Sequence, residues 1–323
     1  MNQVVAVDIG GTHARFALAE LQPGRRPALG RMRKYRTADH AGLASAWAAF
    51  GRDCGGVLPA AAAIAIAGPV DGELIRFTNN PWLIRPATIG DELGLDRDPL
   101  LLNDFAAMAA GIGVMDDSEF DHLGGTAGAW PGSGVTTVIG PGTGLGVAQL
   151  LRTGGRNIVI ASEGGHVDFA ALDGFEEALA QRLRAQHGRV SAERVCAGPA
   201  LAAIREALAA NAGRPIVPVD DAALWQLAID GADDLAAQAL DRLVMALGSF
   251  AGDLALAHGA NAVAITGGLA NRIRDRLAGP LFHDRFRAKG RFARRMAELP
   301  IRLACHPEPG LLGAAAAYQE QRC

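Results

Sequence analysis

The sequence predicts an α/β protein made of two related halves. Three observations predict it. A strand, glycine turn, strand pattern occurs twice, first over Val4 to Leu21 and again over Val135 to Leu151. Between and after these, apolar runs of strand length alternate with segments of helical apolar spacing. The chain of 323 residues is long enough for two domains of ordinary size, with half its residues apolar and 20% charged.

The elements follow in order. Val4 to Ile9 is an apolar run broken by Asp8, followed by Gly10-Gly11-Thr12 and a second run, Phe16 to Leu21. That reads as strand, tight turn, strand. Residues 31–37 read as a third strand, Leu43 to Phe50 as a helix, and Ala61 to Ala67 as a buried strand ending at Gly68-Pro69. Pro99 to Leu102 is a strand ending at Asn103-Asp104, and Phe105 to Ile112 a helix. Val135 to Ile139 then begins the second copy of the pattern, a weak internal repeat about 130 residues after the first. Beyond residue 173 helices dominate, over 173–187, 198–211, 221–230 and 233–258. Asn261 to Thr266 is a last buried strand before Gly267-Gly268 and a helix, Ile301 to Cys305 is strand-like, and Pro309 to Gln319 is a closing helix. Its glycines and alanines suit close packing.

Composition narrows the function. Glycine numbers 41, where average usage of about 7% would give roughly 23. The excess is neither periodic nor gathered in one tract, so it points to places where backbone approaches something closely. Lysine occurs only at Lys34 and Lys289. No Walker A loop and no protein-kinase lysine motif exists. The net charge of −3 and the lack of long like-charge runs argue against a nucleic-acid partner. The basic stretch Arg285 to Arg295 reads as a solvated face around Phe286 and Phe292. Cys54, Cys196, Cys305 and Cys323 are scattered, without zinc or disulfide-framework spacing. The start, Met1-Asn2-Gln3-Val4, lacks the basic region of a signal peptide, and no apolar run reaches membrane-span length. A cytoplasmic protein without membrane partners is the expectation.

Three glycine motifs carry phosphate chemistry. Asp8-Ile9-Gly10-Gly11-Thr12 offers backbone amides unobstructed by Cβ atoms, a phosphate cradle that works without lysine. Asp8 beside it suits Mg²⁺, directly or through water, since Mg²⁺ favours one or two carboxylates plus phosphates. Gly140 to Gly146 has glycine at every second position, with Thr143 between Gly142 and Gly144. It fits neither the dinucleotide fingerprint nor a Walker A loop. Thr266-Gly267-Gly268 is a strand-to-helix turn that admits a flat ring or a phosphate against backbone. Each of the three, taken alone, is equally an ordinary turn.

Taken together, in this order, the motifs resemble the sugar-kinase branch of the actin, Hsp70 and hexokinase ATPase superfamily. More narrowly, the chain resembles the bacterial glucokinases of the enterobacterial type, nearly end to end. The most specific stretches are Asp8–Arg15, Leu102–Ala107, Gly140–Val147, Glu163–Ala170, Ser191–Gly198, Thr266–Gly268 and Pro309–Gly313. The ROK branch fits less well, because its clustered-cysteine zinc motif is missing. His13 departs from the asparagine common in the family. The resemblance implies two ribonuclease-H-like, actin-like ATPase domains with an interdomain cleft: residues 1–113 plus 309–323 as the small domain, and 114–308 as the large one with a helical insert. It implies ATP and Mg²⁺ as cofactors, glucose as substrate and a homodimer. Asp8, Gly10, Gly11, Thr12, Gly142, Thr143, Gly267 and Gly268 would serve the nucleotide, with Asp8 on the Mg²⁺ side.

On the sugar side, Asn103-Asp104 lies at a strand end before a helix. Asp104 there is a helix cap, a general base, or both. By resemblance it takes the proton of the C6 hydroxyl, with Asn103 on the same face. Ser162-Glu163-Gly164-Gly165-His166 places a carboxylate and an imidazole on a glycine turn. Adjacent sugar hydroxyls need such acceptors and donors, although a structural histidine is the plainer reading. Glu193 suits a helix N-terminus. The resemblance puts Glu163, His166 and Glu193 on the glucose hydroxyls. Asn80, in Thr78-Asn79-Asn80-Pro81, is a weaker candidate for the same pocket, and Asp168 supports His166 or its loop. A kinase for another hexose, and a non-catalytic ATP-binding regulator, are the alternatives.

Overall fold

The structure is a computed structural model that describes residues 2–77 and 80–322. Along the chain it forms β1 (Gln3–Ile9), β2 (His13–Glu20), β3 (Ala28–Leu29), β4 (Arg33–Arg36), α1 (Leu43–Asp53), β5 (Ala62–Ile66), β6 (Ile75–Arg76), β7 (Leu83–Ile84), α2 (Pro86–Glu92), β8 (Leu100–Asn103) and α3 (Asp104–Val114). There follow β9 (Phe120–Gly124), β10 (Gly134–Pro141), β11 (Leu145–Thr153), β12 (Arg156–Ser162), α4 (Gly174–His187), α5 (Glu193–Cys196), α6 (Ala200–Asn211), α7 (Asp221–Asp230) and α8 (Asp234–Ala257). The chain continues through β13 (Ala262–Ile265), α9 (Gly268–Arg272), α10 (Arg274–Leu277), α11 (Pro280–Arg287), α12 (Ala293–Glu298), β14 (Ile301–Ala304) and α13 (Pro309–Arg322).

Two compact units result. The first holds Met1–Asp116, Leu150–Ala161 and His306–Cys323, and the second holds Asp117–Gln149 and Ser162–Cys305. The far part of the β11–β12 hairpin thus belongs to the first unit. Both units are α/β, and two six-stranded sheets form the core of the chain.

In the first unit the sheet order is β3-β2-β1-β5-β8, with β4 also paired to β2. The glycine turn makes β1 and β2 an antiparallel hairpin, while β1, β5 and β8 run parallel. Their register aligns Ile9 with Ile66 and Ile66 with Asn103. The carboxyl ends of these three strands therefore lie side by side. Successive side chains of a strand point to opposite faces. Val5, Val7, Ile9 and Phe16 pack with Trp47 and Phe50 of α1, and Val4, Ala6, Ala17 and Ala19 pack with Leu311, Ala314, Ala315 and Tyr318 of α13.

The helices α3 and α13 meet almost backbone to backbone. A Cβ at Gly313 would lie 1.6 Å from the Ala107 carbonyl oxygen, and one at Gly111 would lie 2.3 Å from that of Pro309. The alanine- and glycine-rich composition of α13 is what this approach requires.

The other six-stranded sheet has the order β12-β11-β10-β13-β14-β9, and its β10, β13, β14 and β9 lie in the second unit. Here β10, β13 and β14 run parallel, and β9 closes the edge antiparallel to β14. The helix α8, 24 residues long, is buried over most of its length beneath this core. Aspartates fix the helix starts: Asp173, Asp220 and Asp233 accept from the amides of Glu176, Ala223 and Ala236. The expected helices over 173–187, 221–230 and 233–258 thus form with their N-caps in place.

Two expectations need correction. The third strand read over residues 31–37 is the shorter β4, with β3 at 28–29 pairing separately to β2. The basic stretch 285–295 is not simply a solvated face. Arg285 pairs with Asp173 at 2.6 Å and Glu176 at 3.0 Å, and Lys289 pairs with Asp253 at 2.7 Å and donates to the Ser249 carbonyl. Phe286 is buried, so these cations sit over a core helix contact. Among the described residues no helix is long and apolar enough to cross a membrane.

The α3–α13 contact makes a direct prediction. Gly313→Ala drives a Cβ into a backbone carbonyl that has no alternative position, and should destabilise the protein by about 3 kcal/mol, the upper range for overpacking. Thermal unfolding followed by circular dichroism measures this; an unchanged midpoint would refute the backbone-to-backbone packing.

Candidate functional site

The first unit gathers its candidates at the carboxyl ends of β1, β5 and β8, where ligands bind in open α/β sheets. Asp8 is the second-last residue of β1, paired in register with Arg15 of β2. The Arg15 guanidinium donates to Asp8 Oδ2 at 3.1 Å. Burial raises the Asp8 carboxyl above its ordinary value, and Arg15 opposes that rise. The following turn is closed by the Gly10 amide donating to the His13 carbonyl at 2.9 Å. Three further contacts brace it: Thr37 Oγ1 to the Gly11 carbonyl at 3.1 Å, the Thr37 amide to the Thr12 carbonyl at 3.0 Å, and Asn80 Nδ2 to the Gly10 carbonyl at 3.2 Å.

Asn80 is buried, and its Oδ1 accepts from the Trp82 amide at 3.0 Å. Trp82 Nε1 in turn donates to the carbonyls of Thr37 and His40, each at 3.0 Å. Asn80 therefore serves as a brace under the first glycine turn, which the sequence reading did not anticipate. Thr78 and Asn79 of that stretch lie outside the described residues. His13 bonds to Thr12 Oγ1 through Nδ1 at 3.0 Å. Partial burial, Lys34, Arg15 and Arg36 hold its imidazole below the ordinary value, favouring the neutral ring.

Asn103 and Asp104 lie at the carboxyl end of β8, with β5 between them and this turn. The helix cap is Asn103, not Asp104 as one sequence reading allowed. Asn103 Oδ1 accepts from the amides of Phe105 at 2.9 Å and Ala106 at 3.2 Å, and its Nδ2 donates to the Gly68 carbonyl at 3.2 Å. Its side-chain carbonyl is thus fully committed, and a single amide hydrogen remains for any ligand. Asp104 is the first helical residue, half-buried, with Oδ1 accepting from the Phe105 amide at 2.8 Å.

The second unit gathers the rest around Leu145. The Glu193 carboxylate accepts from the Leu145 amide at 2.9 Å through Oε2. The turn carrying Glu163 and His166 sits against the Leu145 carbonyl, where a Cβ at Gly165 would lie 2.0 Å from the oxygen. Glu163 and His166 are exposed, with Oε2 and Nε2 3.9 Å apart. Asp168 takes Arg189 at 2.7 Å, and Arg189 donates to the His166 carbonyl at 2.7 Å. Asp168 supports the loop through that arginine rather than by touching the imidazole.

The second glycine loop closes with the Gly142 amide on the Gly144 carbonyl at 2.8 Å, and the Gly142 carbonyl accepts from the Gly198 amide at 2.7 Å. Thr143, at its exposed tip, lines a cavity of about 150 Å³ with Glu193, Arg194, His187 and Pro199. Thr266 is fully buried, so Gly267 and Gly268 are the accessible part of the third motif. Asn271 Nδ2 bridges the carbonyls of Gly267 and Ala304 and holds that turn.

Sequence reasoning missed Arg15, Glu308, Thr37 and Trp82. Arg15 was legible in principle: an arginine seven residues from Asp8 across a hairpin turn is its cross-strand partner. Among the described residues no group of three metal-ligating side chains forms a protein cage for a metal. A lone, partly buried carboxylate does fit Mg²⁺, which takes the rest of its oxygens from phosphates and water.

Comparison with known proteins gives the family. A crystal structure of a glucokinase from an Antarctic psychrotroph superposes with a TM-score of 0.86 at 32% identity, covering 98% of each chain. The profile of the glucokinase family matches residues 5–321, and the chain belongs to that family. It is 53% identical to the glucokinase of Zymomonas mobilis over 98% of this chain and 97% of the relative. It is 39% identical to that of Stenotrophomonas maltophilia over 97% and 94%.

The brace under the first turn is testable. Asn80→Ala leaves the Gly10 carbonyl and the buried Trp82 amide without their partner, which should cost about 2 kcal/mol. Urea unfolding would measure the loss; wild-type stability in this variant would show that the turn does not depend on Asn80.

Proposed function

We propose that this protein transfers the γ-phosphoryl group of ATP to the 6-hydroxyl of D-glucose, giving glucose 6-phosphate. The observation that carries this reading is the end-to-end match to glucokinases, together with Asp104 and the first glycine turn following the aligned ends of β8 and β1 in one sheet.

Phosphoryl transfer to an alcohol needs the hydroxyl aligned and its proton accepted, with little covalent work by the protein. Asp104 is the base: fixed at the start of α3, it accepts the proton of the 6-hydroxyl as the oxygen attacks. Asn103 offers its remaining amide hydrogen to the sugar. Glu163, His166 and Glu193 bind the other hydroxyls, Glu193 with the oxygen not engaged by Leu145. Such a set rejects analogues that lack a hydroxyl, because its polar groups would be left unpaired. Asn80 braces the turn from beneath and remains the weaker candidate for the same sugar pocket.

The phosphates rest on backbone. Since the Gly10 and Gly142 amides close their own turns, the Gly11–Thr12 and Thr143–Gly144 amides are the donors left for phosphate oxygens. Gly267 and Gly268 admit the adenosine part. Asp8 would hold Mg²⁺ through water, and the ion, when bound, neutralises charge on the phosphates. In this reading residues 1–113 with 309–323 form the small domain and 114–308 the large one. Membership of the enterobacterial-type branch, within the actin-like ATPase superfamily, belongs to the same proposal, as do a cytoplasmic location and a homodimer.

A coupled assay with Mg-ATP and a panel of hexoses decides the reading. Glucose-dependent ADP release is expected, with glucose preferred over its epimers; a folded protein that releases none would sink it. Asp104→Ala should lower kcat by about 10³-fold, within the usual range for a lost general base. Glucose binding, followed by intrinsic fluorescence, should persist. Normal turnover in that variant would remove Asp104 from the role.

A further inference from the structure

We propose that Glu308 is a positioning residue that tunes the metal side of the site by sharing Arg15 with Asp8. This rests on the reading of Asp8 as the Mg²⁺-side carboxylate.

One guanidinium serves two carboxylates here. Arg15 Nη1 lies 3.1 Å from Asp8 Oδ2, and Arg15 Nε lies 3.4 Å from Glu308 Oε2. The side chains of Asp8, Arg15 and Glu308 are only 19%, 34% and 21% exposed, so the trio is shielded more than an ordinary surface pair. Arginine's rigid, planar fork can hold two carboxylates at fixed angles, which lysine cannot do.

The rest of the surroundings fixes the arrangement. The Glu308 amide donates to His306 Nδ1 at 3.0 Å, and its carbonyl accepts from the Leu312 amide at 3.1 Å. Glu308 is therefore the residue from which α13 starts, with Pro309 in the first helical position, where proline is favoured. A Cβ at Gly310 would come within 3.3 Å of Asp8 Cγ and Oδ2. Asp8 is thus backed by the first turn of α13 and held by Arg15, and Arg15 is held by the residue that begins that helix.

The charge count gives the direction. With both carboxylates ionised, the trio carries one net negative charge. Removing the Glu308 charge makes it neutral and directs the whole Arg15 charge to Asp8, so attraction for a divalent cation falls. Residues that orient a metal-side ligand are worth about 10–100-fold in metal affinity.

The test uses Mn²⁺ with ADP as the probe, read by electron paramagnetic resonance on the full chain. Glu308→Gln should weaken Mn²⁺·ADP binding about tenfold. It should raise the Mg²⁺ concentration for half-maximal turnover by the same factor, while the affinity for glucose stays unchanged and that for metal-free ADP does not fall. Glu308→Asp, which keeps the charge on a shorter stem, should shift both in the same direction by less; it also supplies the answer if the glutamine variant does not fold. Unchanged Mn²⁺·ADP binding in either folded variant overturns the proposal. So does an equal loss for glucose, which would mark a merely structural role. A failure of the glucokinase reading is separable, because it would appear as missing glucose-dependent ADP release in the wild-type protein.

Discussion

The backbone contact between α3 and α13 is the constraint on which the first unit depends. Two glycines, Gly111 and Gly313, let the helices approach until carbonyl oxygens occupy the space a Cβ would take. That approach sets the position of α3, whose first residue is Asp104, and of α13, whose first turn backs Asp8. The proposed base and the proposed metal-side carboxylate are therefore carried on interlocked elements. Protein interiors transmit small shifts rather than absorb them, so one methyl group at this contact reaches both groups at once.

The polar side chains around the site do more building than their exposure suggests. Asn103 caps α3, Asn80 and Trp82 tie the first glycine turn to the Thr37–His40 segment, and Glu193 holds the Leu145 amide. Each keeps only part of its hydrogen-bonding capacity for a ligand. Such commitment lowers the entropy that binding would otherwise lose. In the proposed reading, a chain almost without lysine would hold phosphates on loops that are braced from behind.

Much of this was legible in the sequence because it is local. Asp173, Asp220 and Asp233 announce their helices within four residues. The two strand–glycine–strand patterns announce their hairpins, and the composition of Pro309–Gln319 announces a close-packed helix. Asn103 and Asp104 were recognised together, but a sequence cannot decide which of two adjacent capping residues turns inward; the backbone angles at Asn103 decide it. Glu308 was invisible for a different reason. Its tie to Arg15 closes a separation of nearly the whole chain, and nothing near either residue marks the other. The bracing contacts of Asn80 have no signature in one dimension, because the Gly10 carbonyl it holds lies 70 residues away.

The place of α13 in the core bears on how the protein is made. Val4, Ala6, Ala17 and Ala19 form one face of the first sheet, and their cover is Leu311, Ala314, Ala315 and Tyr318. During synthesis that face emerges some 290 residues ahead of the helix that shields it, an interval of roughly 15 to 60 seconds at ordinary elongation rates. The hairpin can form early, since its contacts are local, yet one apolar side of it waits in water or against a chaperone until α13 appears. Pairings of such long separation slow folding. The segment whose first turn backs Asp8 is thus also the one whose arrival covers that apolar face.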